Sequence, residues 1–467
     1  MSNSSKFLYL PLEIVVREHD GKVTLAHEAA MQGWVVLIAP KAILYAMIDT
    51  LPQGVVMIKS ATPLEHAQIK MLHESGHKIC SLDEEGVVTF KEFLGDNVRF
   101  NRDNLNIIER VFFWGDEQKR IFEETFPEFA QYGVKSGSPR LEFWRDFAHE
   151  VYKDQADALR RKYGRFILIP SSFGIANNVL GAHMGLELTK KHSASNLSED
   201  MVEFMVGQAE QNLIAFKEYI DFLPEMVASQ PDINFIIRPH PSESHDIWKK
   251  MEEKLDNLHF VYEGAVTPWI LASEGIYHFK STTSIEAHLM GRPVMTYMPP
   301  MPHYLKKYTL EQPLAVSEIA NSREELIEIL DNVVRGKKTK EPGVIDGVLK
   351  MWVYENTECT SAESILKEMD LVAPLPTRLL AVPPLSLKRK INKKIDELVL
   401  SLNETVWAKY FPKRARNRAG SLLYGKAKAS GMNFKHTRNV LDVISQLKKM
   451  KTLNMYELKE QVFVISK

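Results

Sequence analysis

Cysteine is nearly missing from this 467-residue chain, and the two present, Cys80 and Cys359, lie far apart. Two such thiols exclude a disulfide framework and give no zinc-ligand spacing. Long apolar runs are missing as well. The start "KFLYLPLEIVV" is broken by Pro11 and Glu13, too short and too polar for a signal peptide or an anchor. A cytoplasmic chain is therefore expected. There is also no pair of aspartates at a strand end in the spacing that bridges a nucleotide to a divalent ion, so no metal is called for.

What is present is ordinary globular material. With 45% hydrophobic and 25% charged residues, the chain has enough apolar content for two or three domains. The net charge of −1 conceals an asymmetry: from Leu371 onward there are 20 Lys and Arg against 6 Asp and Glu, so the first 370 residues are acidic. That basic part opens with "APLPTRLLAVPPLS", a proline-rich linker that cannot continue a helix. Beyond it, Ile391, Ile395, Leu398, Leu402 and Trp407 recur at helical spacing beside lysines. A basic amphipathic helix of this kind suits an anionic membrane surface or a packed face. No pattern for nucleic-acid recognition accompanies it.

The rest alternates regularly. The runs "FLYLPL", "GWVVLIAP", "GVVMIKSA", "HKICSLD" and "VFFWGD" read as strands, separated by segments of helical period. A second series follows: "RFILIP", "NFIIRP", "HFVYEG", "GIYHFK" and "RPVMTYMP". Two doubly wound parallel sheets joined near residues 145–165 are the simplest arrangement. Ligands of such sheets bind outside the strand carboxyl ends.

Two strand ends carry suggestive chemistry. "GIYHFK" is followed by Ser281, Thr282, Thr283 and Ser284, then by "IEAHLMG" with Gly291 closing a helix. Hydroxyls and unpaired N–H groups at a helix start favour a phosphate, and Glu286, just inside, could accept from a ribose hydroxyl pair. "NFIIRPHPSE" ends in Arg238 and His240, the latter held between Pro239 and Pro241. A rigid imidazole there can donate to a phosphate or serve as an acid, and a guanidinium can fork onto the same anion.

Taken in order, "LPLEIVVREHDGK", "FFWGDEQKRIF", "GSPRLEFW", "IPSSFGIANN", "RPHPSE" and "STTSIEAHLMGRPVM" resemble the bacterial surface-carbohydrate glycosyltransferases of the GT-B kind. The likeness is to the capsule and lipopolysaccharide enzymes that transfer Kdo or related 2-keto-3-deoxy sugars from a CMP-activated donor. The resemblance spans roughly residues 7–300 and implies an α/β GT-B fold, two Rossmann-like domains facing a cleft, with an acceptor domain at 1–150 and a donor domain at 151–370. The basic helical tail at 371–467, read from its composition, lies outside the resemblance. It implies that His240 and Pro241 contact the nucleotide phosphate, with Ser281, Thr282, Thr283 and Ser284, and that Glu286 holds the ribose. Ser172, Gly174 and Asn177 would face the donor, and Lys280 would lie near its charge.

For the chemistry, "REHDG" would offer Arg17, Glu18, His19 and Asp20 on a cleft-facing loop. Asp20 before Gly21 imitates the base of CMP-sialic-acid transferases, while Asp20, Glu18 or Asp116 could be the nucleophile of a retaining enzyme. No cofactor is implied beyond the CMP-sugar itself. The partners are this donor, a glycan or glycolipid acceptor and, through the tail, the inner-membrane surface. Three alternatives stand beside this reading: a CDP-polyol phosphotransferase of the teichoic-acid type, a UDP-sugar epimerase, and a non-catalytic assembly subunit.

Overall fold

The computed structural model describes residues 5–95, 98–179, 181, 198–337, 343–355, 357–377, 432–459 and 461–467. Six parallel strands form most of the first sheet: β1 (Phe7–Leu12), β2 (Val35–Pro40), β3 (Val55–Ile58), β4 (Lys78–Leu82), β5 (Arg110–Phe113) and β6 (Gly133–Lys135). Their order is β2-β1-β3-β4-β5-β6. The second sheet holds β7 (Phe166–Pro170), β8 (Asn234–Arg238), β9 (Leu258–Phe260), β10 (Gly275–His278), β11 (Val294–Tyr297) and β12 (Glu318–Ala320). All are parallel, in the order β9-β8-β7-β10-β11-β12.

The central strands β1 and β7 are buried along their whole length. Strands covered on both faces read as unbroken apolar runs rather than alternating ones, which is why "FLYLPL" and "FILIP" stand out in the sequence. The two doubly wound sheets expected from the sequence are thus present, as the GT-B arrangement requires.

The helices that bear on function are α1 (Val15–Met31), α2 (Pro139–Glu142), α3 (Glu199–Ala228), α4 (Thr283–Leu289), α5 (Ser361–Val372) and α6 (Phe434–Leu447). One apolar core is continuous from the α1 face of the first sheet, through Leu141, Phe143, Trp144 and Phe147, to Phe166, Ile276 and Ile285 of the second. No helix among the described residues is long and apolar enough to cross a membrane.

The tail expected at 371–467 is not a separate unit over its described part. Strand β13 (Asn454–Lys459) pairs with β14 (Val462–Ser466), and β14 runs antiparallel to β2, with Val464 opposite Leu37. Val462, Phe463, Val464 and Ile465 are all buried. Each of these side chains contributes about 1.5–3 kcal/mol by burial, which anchors β14 to the edge of the sheet. Helix α6 buries Val440, Leu441 and Ile444 on the same domain. The return begins earlier, within the stretch assigned to the donor domain. Arg110 reaches Glu368 of α5 at 2.9 Å, and Tyr354 N–H donates to the Trp114 carbonyl at 2.7 Å. The amphipathic segment containing Ile391, Ile395, Leu398, Leu402 and Trp407 lies outside the described residues.

Candidate functional site

Each sheet has one point where the strand order reverses direction, and crevices form there because the connecting helices leave to opposite faces. In the first sheet the point lies between β1 and β3, in the second between β7 and β10. Glu13 follows β1 and Lys59 follows β3, and their side chains pair at 2.8 Å, with Lys41 also 3.8 Å from Glu13. Across the second reversal, Ser172 Oγ donates to the Phe279 carbonyl, joining the segment after β7 to that after β10.

The stretch "REHDG" lies inside α1, not on a loop. The reason is Glu18, which is fully buried and accepts from the backbone N–H groups of Glu13 (2.9 Å) and Ile14 (3.0 Å). It caps the helix from within and leaves only two residues between β1 and α1. Burial would raise its pKa, but Lys22 and the two N–H groups outweigh this and hold the carboxyl below its ordinary value. Glu84 is also buried, 3.5 Å from Lys22, and burial pushes its pKa up. Arg17 pairs with Glu85 at 2.8 Å, and Arg99 also binds Glu85 (3.2 Å). Against the opposing effect of burial, the two guanidinium groups bring Glu85 down to about 2.

Asp20 occupies the opposite side of α1, toward α6. Its Oδ1 meets His19 Nδ1 at 2.7 Å and His436 Nε2 at 2.9 Å, and Tyr152 donates to its Oδ2 at 2.6 Å. Burial acts to raise its pKa, but the two imidazoles hold the carboxyl far below the usual range. Burial, then the Asp20 charge, pushes the Tyr152 phenol well up. Asp116 begins the helix Asp116–Thr125 and pairs with Lys135 at 2.8 Å, largely exposed.

In the second domain Glu243 organises the ligand-side loops. Its buried carboxylate accepts from Ser171 Oγ (2.9 and 2.8 Å), the N–H groups of Phe173 (2.9 Å) and His240 (3.1 Å), Asn177 Nδ2 (3.3 Å) and Trp248 Nε1 (3.1 Å). Burial raises its pKa against the pull of these donors. Asn177 is thereby a strut between loops rather than an open donor, its Nδ2 also reaching the Ser244 carbonyl at 2.9 Å. Gly174 is required by close approach: a Cβ there would meet Ser242 Oγ at 2.1 Å and His240 Nδ1 at 3.3 Å.

His240 is exposed at the rim, with Ser242 and the Gly174 backbone packed against its ring. That crowding, then the Arg17 charge, lowers its pKa, with Glu85 opposing. Ser242 presents both its N–H (3.3 Å) and its Oγ (2.8 Å) to His240 Nδ1. Nδ1 therefore accepts, and in the neutral ring Nε2 carries the proton. Pro241 is exposed beside it. Arg238 does not fork onto an anion: its Nη1 and Nη2 donate to the carbonyls of Glu263 (2.7 Å) and Gly264 (2.9 Å), and it lies over the Trp269 ring.

After β10, Lys280 has a left-handed backbone (φ 53°), donates to the Tyr308 carbonyl and is lowered by burial to about 7. Ser281 Oγ accepts from Thr283 N–H at 3.3 Å, and Ser284 Oγ donates to the Ser281 carbonyl at 2.7 Å. Thr282 is exposed, while Ser281, Thr283 and Ser284 are buried. Glu286 is buried, 3.7 Å from Arg140 of the first domain, and its pKa is raised by burial against the pull of Arg140 and Arg17.

The structure thus gathers Arg17, His240, Lys280, Ser281 and Glu286 around the two reversal points, and turns Asp20 and Asp116 elsewhere. It adds Glu13, Glu84 and Arg140. Arg140 was visible only as part of "GSPRLEFW". It packs so tightly against α1 that a Cβ on Gly21 would meet its Cγ at 2.3 Å.

No protein-family model matches the chain, and no curated protein matches its sequence. Among solved structures it is similar to the UDP-GlcNAc 2-epimerase of Methanocaldococcus jannaschii in complex with UDP-GlcNAc and UDP. The identity is 13% over 79% of this chain and 99% of that chain, with a TM-score of 0.47. It is also similar to S. aureus MnaA with UDP (10% identity, 79% and 96% of the two chains, TM-score 0.45). A third is the wall teichoic acid polymerase TagF with CDPG (10% identity, 85% and 91%, TM-score 0.46).

Proposed function

We propose that the protein is a glycosyltransferase of bacterial surface-polysaccharide assembly that takes a 2-keto-3-deoxy sugar from a CMP donor. The observation that supports this most is the placing of His240 at the end of β8, its ring exposed and its Nδ1 held by Ser242, where the charges of Arg17 and Glu85 on the first domain act on it. A neutral His240 with its proton on Nε2 suits donation to a nucleotide phosphate, and Arg17 adds positive charge without a metal. Ser281, Thr282 and Lys280 border the same crevice, and Glu286 would take the ribose.

For the acceptor, Glu13 replaces Glu18 and Asp20 as the candidate base. It is the carboxylate that stands on the short link after β1, half-buried beside Lys59 and Lys41. Glu18 is committed to capping α1, and Asp20 to His19, His436 and Tyr152. An acceptor carried on lipid, with the inner-membrane surface reached through the basic segment, completes the proposal.

The test is calorimetric titration with CMP, CDP, UDP and UMP without added metal. CMP preference that is lost in His240→Ala supports the reading. Preference for CDP favours polyol-phosphate transfer, preference for UDP a sugar epimerase, and absence of any binding a non-catalytic subunit.

A further inference from the structure

The cluster around Asp20 takes no part in the proposed reaction, and its geometry makes a separate demand. Three ligand-type atoms, His19 Nδ1, Asp20 Oδ1 and His436 Nε2, lie within 4.8 Å of one another. Hydrogen-bond bookkeeping shows what sits between them. Thr437 has one hydroxyl proton, which goes to the Asn433 carbonyl at 2.9 Å, so at 2.7 Å its Oγ1 must accept from His19 Nε2–H. In a neutral His19, Nδ1 then presents a lone pair to a carboxylate oxygen only 2.7 Å away. Two lone pairs at that distance repel unless a cation is placed between them, either a second proton on the ring or a metal ion.

We propose that His19, Asp20 and His436 bind one divalent transition-metal ion, clipping α6 to α1. Two imidazoles and a carboxylate are the donor set for Zn²⁺, Fe²⁺, Co²⁺ or Ni²⁺. An ion about 2.1 Å from each ligand separates neighbouring ligands by about 3.0 Å in an octahedral and about 3.4 Å in a tetrahedral site. The observed 2.7 and 2.9 Å from Asp20 Oδ1 to the two nitrogens would open by about 0.1–0.3 Å for the octahedral and about 0.5–0.7 Å for the tetrahedral site.

The surroundings also match a metal site. Thr437 receives the other N–H of His19, which fixes the ring, and Tyr152 donates to the second carboxylate oxygen at 2.6 Å. Such outer partners are characteristic of metal-bound imidazole and carboxylate. The ligands come from segments 416 residues apart, so an ion here closes a very long loop and contributes its binding energy to folding. This inference is independent of the proposed function.

The tag-free full-length chain, stripped with a chelator, is dialysed against Zn²⁺ for metal analysis and titrated with Co²⁺ while visible absorption is followed. One ion per chain is expected, with a Co²⁺ ligand-field band. His436→Ala should bind at least about a hundredfold more weakly, and Thr437→Val about tenfold more weakly. Should His436→Ala fail to fold by circular dichroism, His436→Cys decides: it should keep one ion and add thiolate-to-cobalt charge transfer. Absence of retained Zn²⁺ and of the Co²⁺ band in the wild-type chain would overturn the proposal and leave an imidazolium at His19. So would an ion kept equally well by His436→Ala, or a His436→Cys chain without the charge-transfer band.

Discussion

Arg140 of the first domain and Glu286 of the second face each other at 3.7 Å, both buried, and form an ion pair that spans the cleft. Arg140 also serves Glu84, donating from Nη1 to its carbonyl at 2.6 Å and lying 3.6 Å from its carboxylate. Removing the guanidinium leaves the buried Glu286 without its ion-pair partner and the buried Glu84 with Lys22 alone. Arg140→Met should lower stability by on the order of 3 kcal/mol, read as a shift of the urea midpoint. Glu286→Gln keeps the Glu84 partner and should cost less, about 1 kcal/mol. Equal losses in the two variants would show that the cross-cleft pair accounts for all that Arg140 contributes, and no loss in Glu286→Gln would show that Arg140 supports Glu84 alone.

Glu13 is the second test. If it takes the acceptor proton, Glu13→Gln should lower turnover by about 10²–10⁴-fold while CMP affinity stays near the wild-type value. Parallel loss of CMP affinity would mark it as a structural partner of Lys59.

The loops around His240 allow a sharper experiment. Gly174→Ala pushes a methyl group into Ser242 Oγ, which should displace His240 and cost about 1–3 kcal/mol in stability, with weaker CMP binding. Ser242→Ala removes the clashing oxygen, so Gly174→Ala with Ser242→Ala should regain most of the stability lost. Failure of that rescue would assign the strain to backbone rather than to the serine.

Lys280 predicts a pH dependence. Burial brings its pKa from the ordinary 10.5 to about 7, so between these values the unfolded chain holds a proton that the folded chain lacks. Stability from this group therefore rises as pH increases from about 7 to 10.5 and is lost as pH falls back through 7. The difference between wild type and Lys280→Met, measured by urea unfolding across this window, should increase with pH by at most about 1.4 kcal/mol per unit. A flat difference would show that the ammonium keeps its ordinary pKa.

Much of this fold is legible in sequence because its central strands are apolar on both faces; β1 and β7 announce themselves, and the alternation with helices follows. The start of α1 is not legible, since its cap is Glu18, a residue inside the helix whose role depends on the chain bending back at Glu13. Likewise Glu243 stands plainly in "RPHPSE", yet Ser171 and Phe173, which it anchors, lie about 70 residues earlier. Arg140 draws its meaning from Glu84 and Glu286, one before and one far after it. The hairpin of β13 and β14 was hidden by composition: a basic balance over residues 371–467 masked the run Val462, Phe463, Val464 and Ile465, which is a buried strand.

That hairpin has a consequence for how the molecule is made. Residues 432–467 supply two strands and a helix to a sheet whose other strands are formed from residues 7–135. During synthesis the first half of the protein emerges early but stays incomplete, with the outer edge of β2 uncovered. The second domain, whose strands all fall between residues 166 and 320, can close first. The usual order, in which the amino-terminal domain matures before the next one, is thus reversed, and the exposed edge must be guarded against pairing with other chains until β14 has been made and has docked.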